Sequence, residues 1–421
     1  MPFLRRFSTF ISYLLLSTVL PVSCVDPYDP EISSDIDLVV VDGTITNLAE
    51  PQVVRLNRAK TISGRFGNSP ILNAQVQVVV NNSQVIQLRE SEPGTYQLPE
   101  GFRGEAGSSY QLRFQLSDGK RYESSPEVLI DSPPVTQVSA RFNPQSFQEG
   151  EVSQIRAGHD FYLDTQDPAG QRNYYKWDWV LYEKQKYCRT CYESIYAVNN
   201  VIIDIYTPLY QMFFFQSGSE PFEDCFSPPE GSLAKETLVK GRIKYDYICR
   251  TQCWEILSSH NLNLFDDGLT DGGAIMGRKV AQIPFYQNAP CLVEIRQLAL
   301  TSDAHRFYKL MESQTQKTGG LGDTPPVAPI GNVKNTGNAR EIVVGFFTAA
   351  GVSSVRYWLK RDDASSSAPG LFEALNGRVP VEEPSPPFGP AMIQNGPPRP
   401  PTAVCVPSTS RTPIRPEGWQ Q

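Results

Sequence analysis

Tyr110-Gln-Leu-Arg-Phe-Gln-Leu116 alternates apolar and polar side chains without a break, and Asp118-Gly119 turns the chain just beyond it. Side chains alternate faces along a strand, so Tyr110, Leu112, Phe114 and Leu116 line one face and Gln111, Arg113 and Gln115 the other. The same pattern runs outward from this stretch. Val76, Val78 and Val80 alternate up to Asn81-Asn82, and Val85-Ile86-Gln87-Leu88 returns, which is a hairpin signal. Leu38–Val41 and Val53–Leu56 supply earlier strands, Pro93-Gly94-Thr95-Tyr96 opens another, and Arg121–Glu127 closes the set. About seven short strands between 37 and 131 predict an immunoglobulin-like or prealbumin-like β-sandwich.

Ser132-Pro133-Pro134 ends that domain, since consecutive prolines cannot continue a central strand. A second, larger β-domain is expected over 135–360. In it Phe161–Leu163 and Tyr174–Tyr182 read as paired strands around the loop Asp164-Thr-Gln-Asp167-Pro-Ala-Gly170. Tyr175, Trp177, Trp179 and Leu181 share a face there, as core or as a platform for a sugar ring or peptide. An irregular, cysteine-bearing insertion spans about 183–260 and contains Phe213-Phe214-Phe215 and Pro228-Pro229. Leu292–Leu298 is strand-like. The one short α-helix predicted follows it: Thr301-Ser302-Asp303 offers a cap, Phe307, Leu310 and Met311 recur at helical spacing, and Gly319-Gly320 stops the run. Ile342–Phe347 and Val355–Leu359 read as two closing strands. The chain from 361 to 421 is a Pro-rich tail and a poor core builder.

The first residues bear on location. Arg5 and Arg6 precede the apolar run Phe10–Leu20, which is short for a bilayer span and reads as the export signal of residues 1–23. It ends in Leu20-Pro21-Val22-Ser23-Cys24, similar to the lipobox at which bacterial lipoproteins are cut and acylated, with the leucine one position early. Lipidation at Cys24 would leave 24–36, acidic and broken by prolines, as a tether to the membrane. A secreted protein cut nearby, with Cys24 free or bridged, is the other reading.

The 421-residue chain has a net charge of −7 and 20% charged residues of mixed sign, with no basic run that would track phosphates, so no nucleic-acid partner is expected. No second long apolar stretch offers a transmembrane helix. Its 35 prolines and 30 glycines, with 19 tyrosines and 21 phenylalanines, favour strands punctuated by turns. With Cys24 acylated, Cys188, Cys191, Cys225, Cys249, Cys253, Cys291 and Cys405 remain as disulfide candidates, and an odd set leaves one unpaired. Cys188-x-x-Cys191 and Cys249-x-x-x-Cys253 also have spacings a zinc ion accepts, although an oxidising envelope favours bridges. The three histidines, His159, His260 and His305, lie far apart in sequence, and no HExxH, GxSxG or P-loop phrase occurs. Asp266, Asp267 and Asp271, set among Gly268, Gly272 and Gly273, can gather oxygens for calcium or simply form turns; the spacing is not that of an EF-hand. No catalytic residue, metal or cofactor is assigned from these patterns.

Several phrases in order give the chain a resemblance. They are Leu38-Val-Val-Val-Asp-Gly43 with Ile45-Thr46, Asn173-Tyr174-Tyr175 after an aspartate-containing loop, and Phe265-Asp266-Asp267-Gly268. Then come the helix with Tyr308 before Gly319-Gly320, Ile330-Gly-Asn-Val333, Val344-Gly-Phe-Phe347, and Cys405 with Arg415-Pro-Glu-Gly-Trp419. This order is similar to the family filed as domain of unknown function 4249, outer-membrane lipoproteins of Gram-negative bacteria. The family brings no established activity. Its members are often encoded beside TonB-dependent transporters, so the resemblance implies a binding or accessory module next to such a transporter. A structural or adhesive envelope protein is the alternative, and a surface hydrolase a third.

Overall fold

The computed structural model describes residues 37–62, 65–148, 155–192, 196–198, 201–203, 206–207, 212–213, 224–225, 244–315, 329–382 and 402–420. The chain divides into two compact units. The smaller takes in 1–37 and 59–68; its described residues are all strand, with Lys60 Nζ 3.2 Å from the Asp37 carboxylate. The larger, 38–58 and 69–421, holds all that follows.

The fold is mainly β, as the alternation predicts. Ser109–Gln115 is a strand with Tyr110, Leu112 and Phe114 buried, and it pairs antiparallel with Gln75–Val80 and Arg121–Ser124. Asn81 and Asn82 both take positive φ, 50° and 56°, at the centre of the turn Val80–Ser83, whose Ser83 amide donates to the Val80 carbonyl at 3.1 Å before the chain returns as Gln84–Gln87. The inward faces of these strands pack on Val39, Val41, Ile45, Val54 and Leu56 to make one sandwich core.

That sandwich is completed from the far end of the chain. Val333–Asn335 pairs with Arg121–Ser124, and Val343–Ala350 lies parallel to Val39–Thr46. The two predicted closing strands are one strand of 17 residues, Val343–Leu359. Its second half changes partner and runs antiparallel to Cys291–Leu300. Gly351 sits at the handover: its amide donates to the Ile130 carbonyl at 2.9 Å, and an added Cβ would lie 2.3 Å from that oxygen. The Asn47 side chain extends the ladder by one step, accepting from the Val352 amide at 2.8 Å and donating to its carbonyl at 3.2 Å.

A second core lies between this large sheet and a three-stranded sheet ordered Val135–Asn143, Gly158–Gln166, Ala274–Pro284. Phe161, Leu163, Ile275 and Ile283 from the latter meet Tyr175, Trp177, Leu181, Val293 and Ile295 from the former. The predicted pairing of Phe161–Leu163 with Tyr174–Tyr182 is therefore corrected. Gly158–Gln166 pairs with Val135–Asn143 and Ala274–Pro284, while Tyr174–Lys184 pairs with Asn263–Asp266, Trp254–Ser258 and Cys291–Leu300 in the other sheet. Alternation tells which face is apolar; it does not name the neighbour.

The predicted helix is Ser302–Thr315, with the Thr301 hydroxyl accepting from the Ala304 amide at 3.2 Å. Ala304 and Phe307 pack on Leu298, Leu300, Phe346 and Val352. Gly319-Gly320 lies outside the described residues, and a second helix, Leu371–Asn376, was not foreseen. Among the described residues no helix is long and apolar enough to cross a membrane.

The chain after Arg361 builds more core than its prolines suggest. Leu371, Phe372, Ala403 and Cys405 are buried, Arg411–Thr412 pairs with Trp254–Ser258, and Trp419 makes edge contacts with Trp254 and Trp358 at 5.7 and 4.9 Å. Part of the expected insertion also belongs to the scaffold, since Trp254–Ser258 is a strand of the large sheet.

Candidate functional site

Strand Tyr174–Lys184 supplies the aromatic row, and the structure divides it. Tyr175 and Trp177 are core, each 1% exposed, and Trp177 Nε1 donates to Gln297 Oε1 at 3.1 Å. Trp179 is half-buried and borders two clefts, of about 300 and about 340 Å³, which also share Ser258 and Ser259. The first is lined by Leu257, His260, Lys279, Gln282 and Tyr286 among others. The second adds three ion pairs: Arg55 with Asp42 at 3.5 Å, Lys176 with Asp178 at 2.9 Å, and Arg296 with Glu50 at 2.7 Å. Burial works against the Lys176 ammonium, yet Asp178 holds it above the ordinary lysine value; burial likewise opposes Arg296, and Glu50 and Glu294 outweigh it. With these charges satisfied in pairs, the second cleft suits a neutral polar ligand that can lay a flat face on an indole.

A second group sits where two loops meet. Residues 167–173 lead from strand Gly158–Gln166 to Tyr174–Lys184, and 267–273 lead from Asn263–Asp266 to Ala274–Pro284. One carboxylate oxygen from each of Asp167, Asp267 and Asp271 lies within 4.8 Å of the other two. The Tyr175 hydroxyl donates to Asp167 Oδ1 at 2.6 Å, the Gly272 amide to Asp167 Oδ2 at 3.1 Å, and the Gly170 amide to Asp271 Oδ1 at 2.9 Å. Burial first, then the Asp167 carboxylate, push Asp267 above the usual range. Asp266, grouped with Asp267 and Asp271 in the sequence, belongs elsewhere: Arg172 grips it in two places, Nε to Oδ1 at 2.7 Å and Nη2 to Oδ2, and holds its pKa down. Asp167 replaces it. The sequence marks that residue only as part of a loop, and nothing in it ties position 167 to 267.

The histidines stay apart in their roles. His159 is fully buried against Phe142 and Phe285 with Nε2 3.0 Å from Asp363; His260 lines the first cleft; His305, on the helix, lies 4.8 Å from the Tyr174 ring at a 31° tilt. Burial lowers both His159 and His305. Among the described residues none of the three imidazole rings is hydrogen-bonded to a serine or threonine hydroxyl or a cysteine thiol, so no activated nucleophile is assembled around them. Arg361 has a fully buried partner in Glu183, donates to the Gln287 and Ala289 carbonyls at 2.8 and 2.9 Å, and acts as a structural cross-link.

Of the cysteines, Cys188 bridges Cys249 and Cys253 bridges Cys405, so four of the candidate thiolates are spent in bridges, three of them from the zinc pattern. Cys291 is not bridged: it is a free, fully buried thiol whose pKa burial pushes well up, an inert core residue. The side chains of Cys191 and Cys225, and all of Cys24, lie outside the described residues.

A family model described as "Domain of unknown function (DUF4249)" matches residues 25–356, which is most of the chain. No curated protein and no solved structure matches it.

Proposed function

This chain belongs to the DUF4249 family, and on that premise we propose that it is an outer-membrane lipoprotein, anchored through an acylated Cys24. In this reading it serves as a binding or accessory module beside a TonB-dependent transporter. The observation that carries the anchor is the opening stretch: Arg5 and Arg6, the apolar run Phe10–Leu20, and a small residue directly before Cys24. Several acyl chains on that cysteine would hold the protein to a bilayer without a spanning helix. The half-buried Trp179 between two clefts of ligand size supports the binding role. The transporter as partner is what the family resemblance implies.

The test is membrane fractionation of cells carrying the tagged protein, with mass spectrometry of its N-terminal peptide and of whatever co-purifies in mild detergent. An acylated Cys24 and a stoichiometric barrel protein are expected, and Cys24→Ala should move to the soluble fraction. A Cys24→Ala chain that stays with the membrane sinks the anchor. An acylated protein that emerges alone sinks the partnership.

A further inference from the structure

Asp267 is fully buried, and neither of its carboxylate oxygens has a hydrogen-bond donor within 3.5 Å, the Asn173 N–H groups that act on it lying farther off. Its backbone is tied on both sides, the amide donating to the Asn173 carbonyl at 3.2 Å and the carbonyl accepting from the Thr270 amide at 2.6 Å. The side chain is thus held facing the Asp167 and Asp271 carboxylates, all three within 4.8 Å. Among the described residues none of the three is ion-paired with a Lys, Arg or His, and the Arg172 guanidinium is committed to Asp266. An ionised carboxylate buried with neither donor nor cation is strongly unfavourable, and two more carboxylates beside it make it worse. A cation at their common centre resolves both problems.

We propose that Asp167, Asp267 and Asp271 bind one calcium ion. The donors are all oxygen, which excludes a preference for zinc, whose sites favour nitrogen and sulfur. They come from two irregular loops, and Asp271 is exposed, leaving a side for water. Calcium accepts such a mixed and flexible shell of six to eight oxygens, whereas magnesium demands a near-ideal octahedron. The position gives the ion a task. Loop 167–173 crosses from the three-stranded sheet to the large one, and loop 267–273 crosses back, so an ion between them clamps one end of the second sandwich. Gly272, at φ +72° with Ala169 directly against it, lets the two loops approach this closely.

The experiment strips the full chain with a chelator at neutral pH, then follows thermal unfolding during titration with calcium or magnesium chloride. Terbium luminescence excited through the protein's aromatics gives a local readout, because Tyr175 touches Asp167. Calcium should raise the unfolding temperature saturably, magnesium much less, and calcium should displace the sensitised terbium. Asp271→Asn should weaken binding by roughly tenfold or more. Asp267→Asn should abolish the calcium response and raise the unfolding temperature of the stripped protein, since a buried repulsion is gone. Equal calcium responses in Asp267→Asn and the natural chain overturn the proposal. So does a natural chain that ignores calcium but loses stability on raising the pH while Asp267→Asn does not, the mark of a proton held on buried Asp267 in place of a cation.

Discussion

Glu127 is a carboxyl in the wrong solvent. It is 3% exposed, accepts from the Thr301 hydroxyl at 2.7 Å and the Asn332 amide at 3.4 Å, and burial raises its pKa to about 7. The folded state therefore holds this proton more tightly than the unfolded chain does. The stability it contributes is complete below the ordinary carboxyl value, 4.5, and is lost as pH climbs through about 7. Each pKa unit corresponds to about 1.4 kcal/mol, so the loss is on the order of 3 kcal/mol. Glu127→Gln, neutral throughout, should unfold in denaturant at a higher midpoint than the natural protein at pH 8 and at a similar one near pH 4. At this scale the sequence was partly legible. It marked Tyr175 and Trp177 as core candidates. Glu127, Arg361 and Asp167 gave no signal, because a buried polar residue looks like any surface one until its distant partner is known.

Alternation located most strands between 37 and 131, because one face of each is wet and the other dry, and missed Arg65–Pro70, the exposed Arg89–Glu92 and the distant Val333–Asn335. It failed on Val343–Leu359, which it split in two. The middle of that strand, Thr348-Ala-Ala-Gly-Val352, is buried but made of small residues, and small residues carry little periodic signal. They are small for a reason. At Gly351 the strand leaves the Asp37–Thr46 strand for Cys291–Leu300 and passes under the backbone of 130–132. Gly351→Ala should force that backbone away and break the 2.9 Å bond to Ile130, destabilising the protein by about 1–3 kcal/mol. Hydrogen exchange should report it first at the amides of 349–353. Phe161–Leu163 and Tyr174–Tyr182 are mispaired from sequence for a separate reason. Neighbours in sequence with similar patterns read as a hairpin, and only the cores show that the loop between them changes sheets.

The molecule as a whole is less divisible than its sequence. The first core includes Val333, Val343, Phe347 and Ala349 alongside Val39, Val78 and Leu112. Residues 37–131 expressed alone should therefore fail to give a cooperative unfolding transition or dispersed amide resonances. Fusing 329–352 to them through a long flexible linker should restore both. A stable, monomeric 37–131 would refute this. Residues 402–420 are likewise structural, fastened by the Cys253–Cys405 bridge across 152 positions and by Trp419 between Trp254 and Trp358. There is also a cost in time. Asn47 and Val352, which exchange two hydrogen bonds, are 305 positions apart. At about 5–20 residues per second of synthesis, the sheet edge at Val39–Thr46 waits roughly fifteen seconds to a minute for its own partner. Throughout that interval it is an open template for any other extended chain, a second nascent copy included, until Val343–Ala350 arrives.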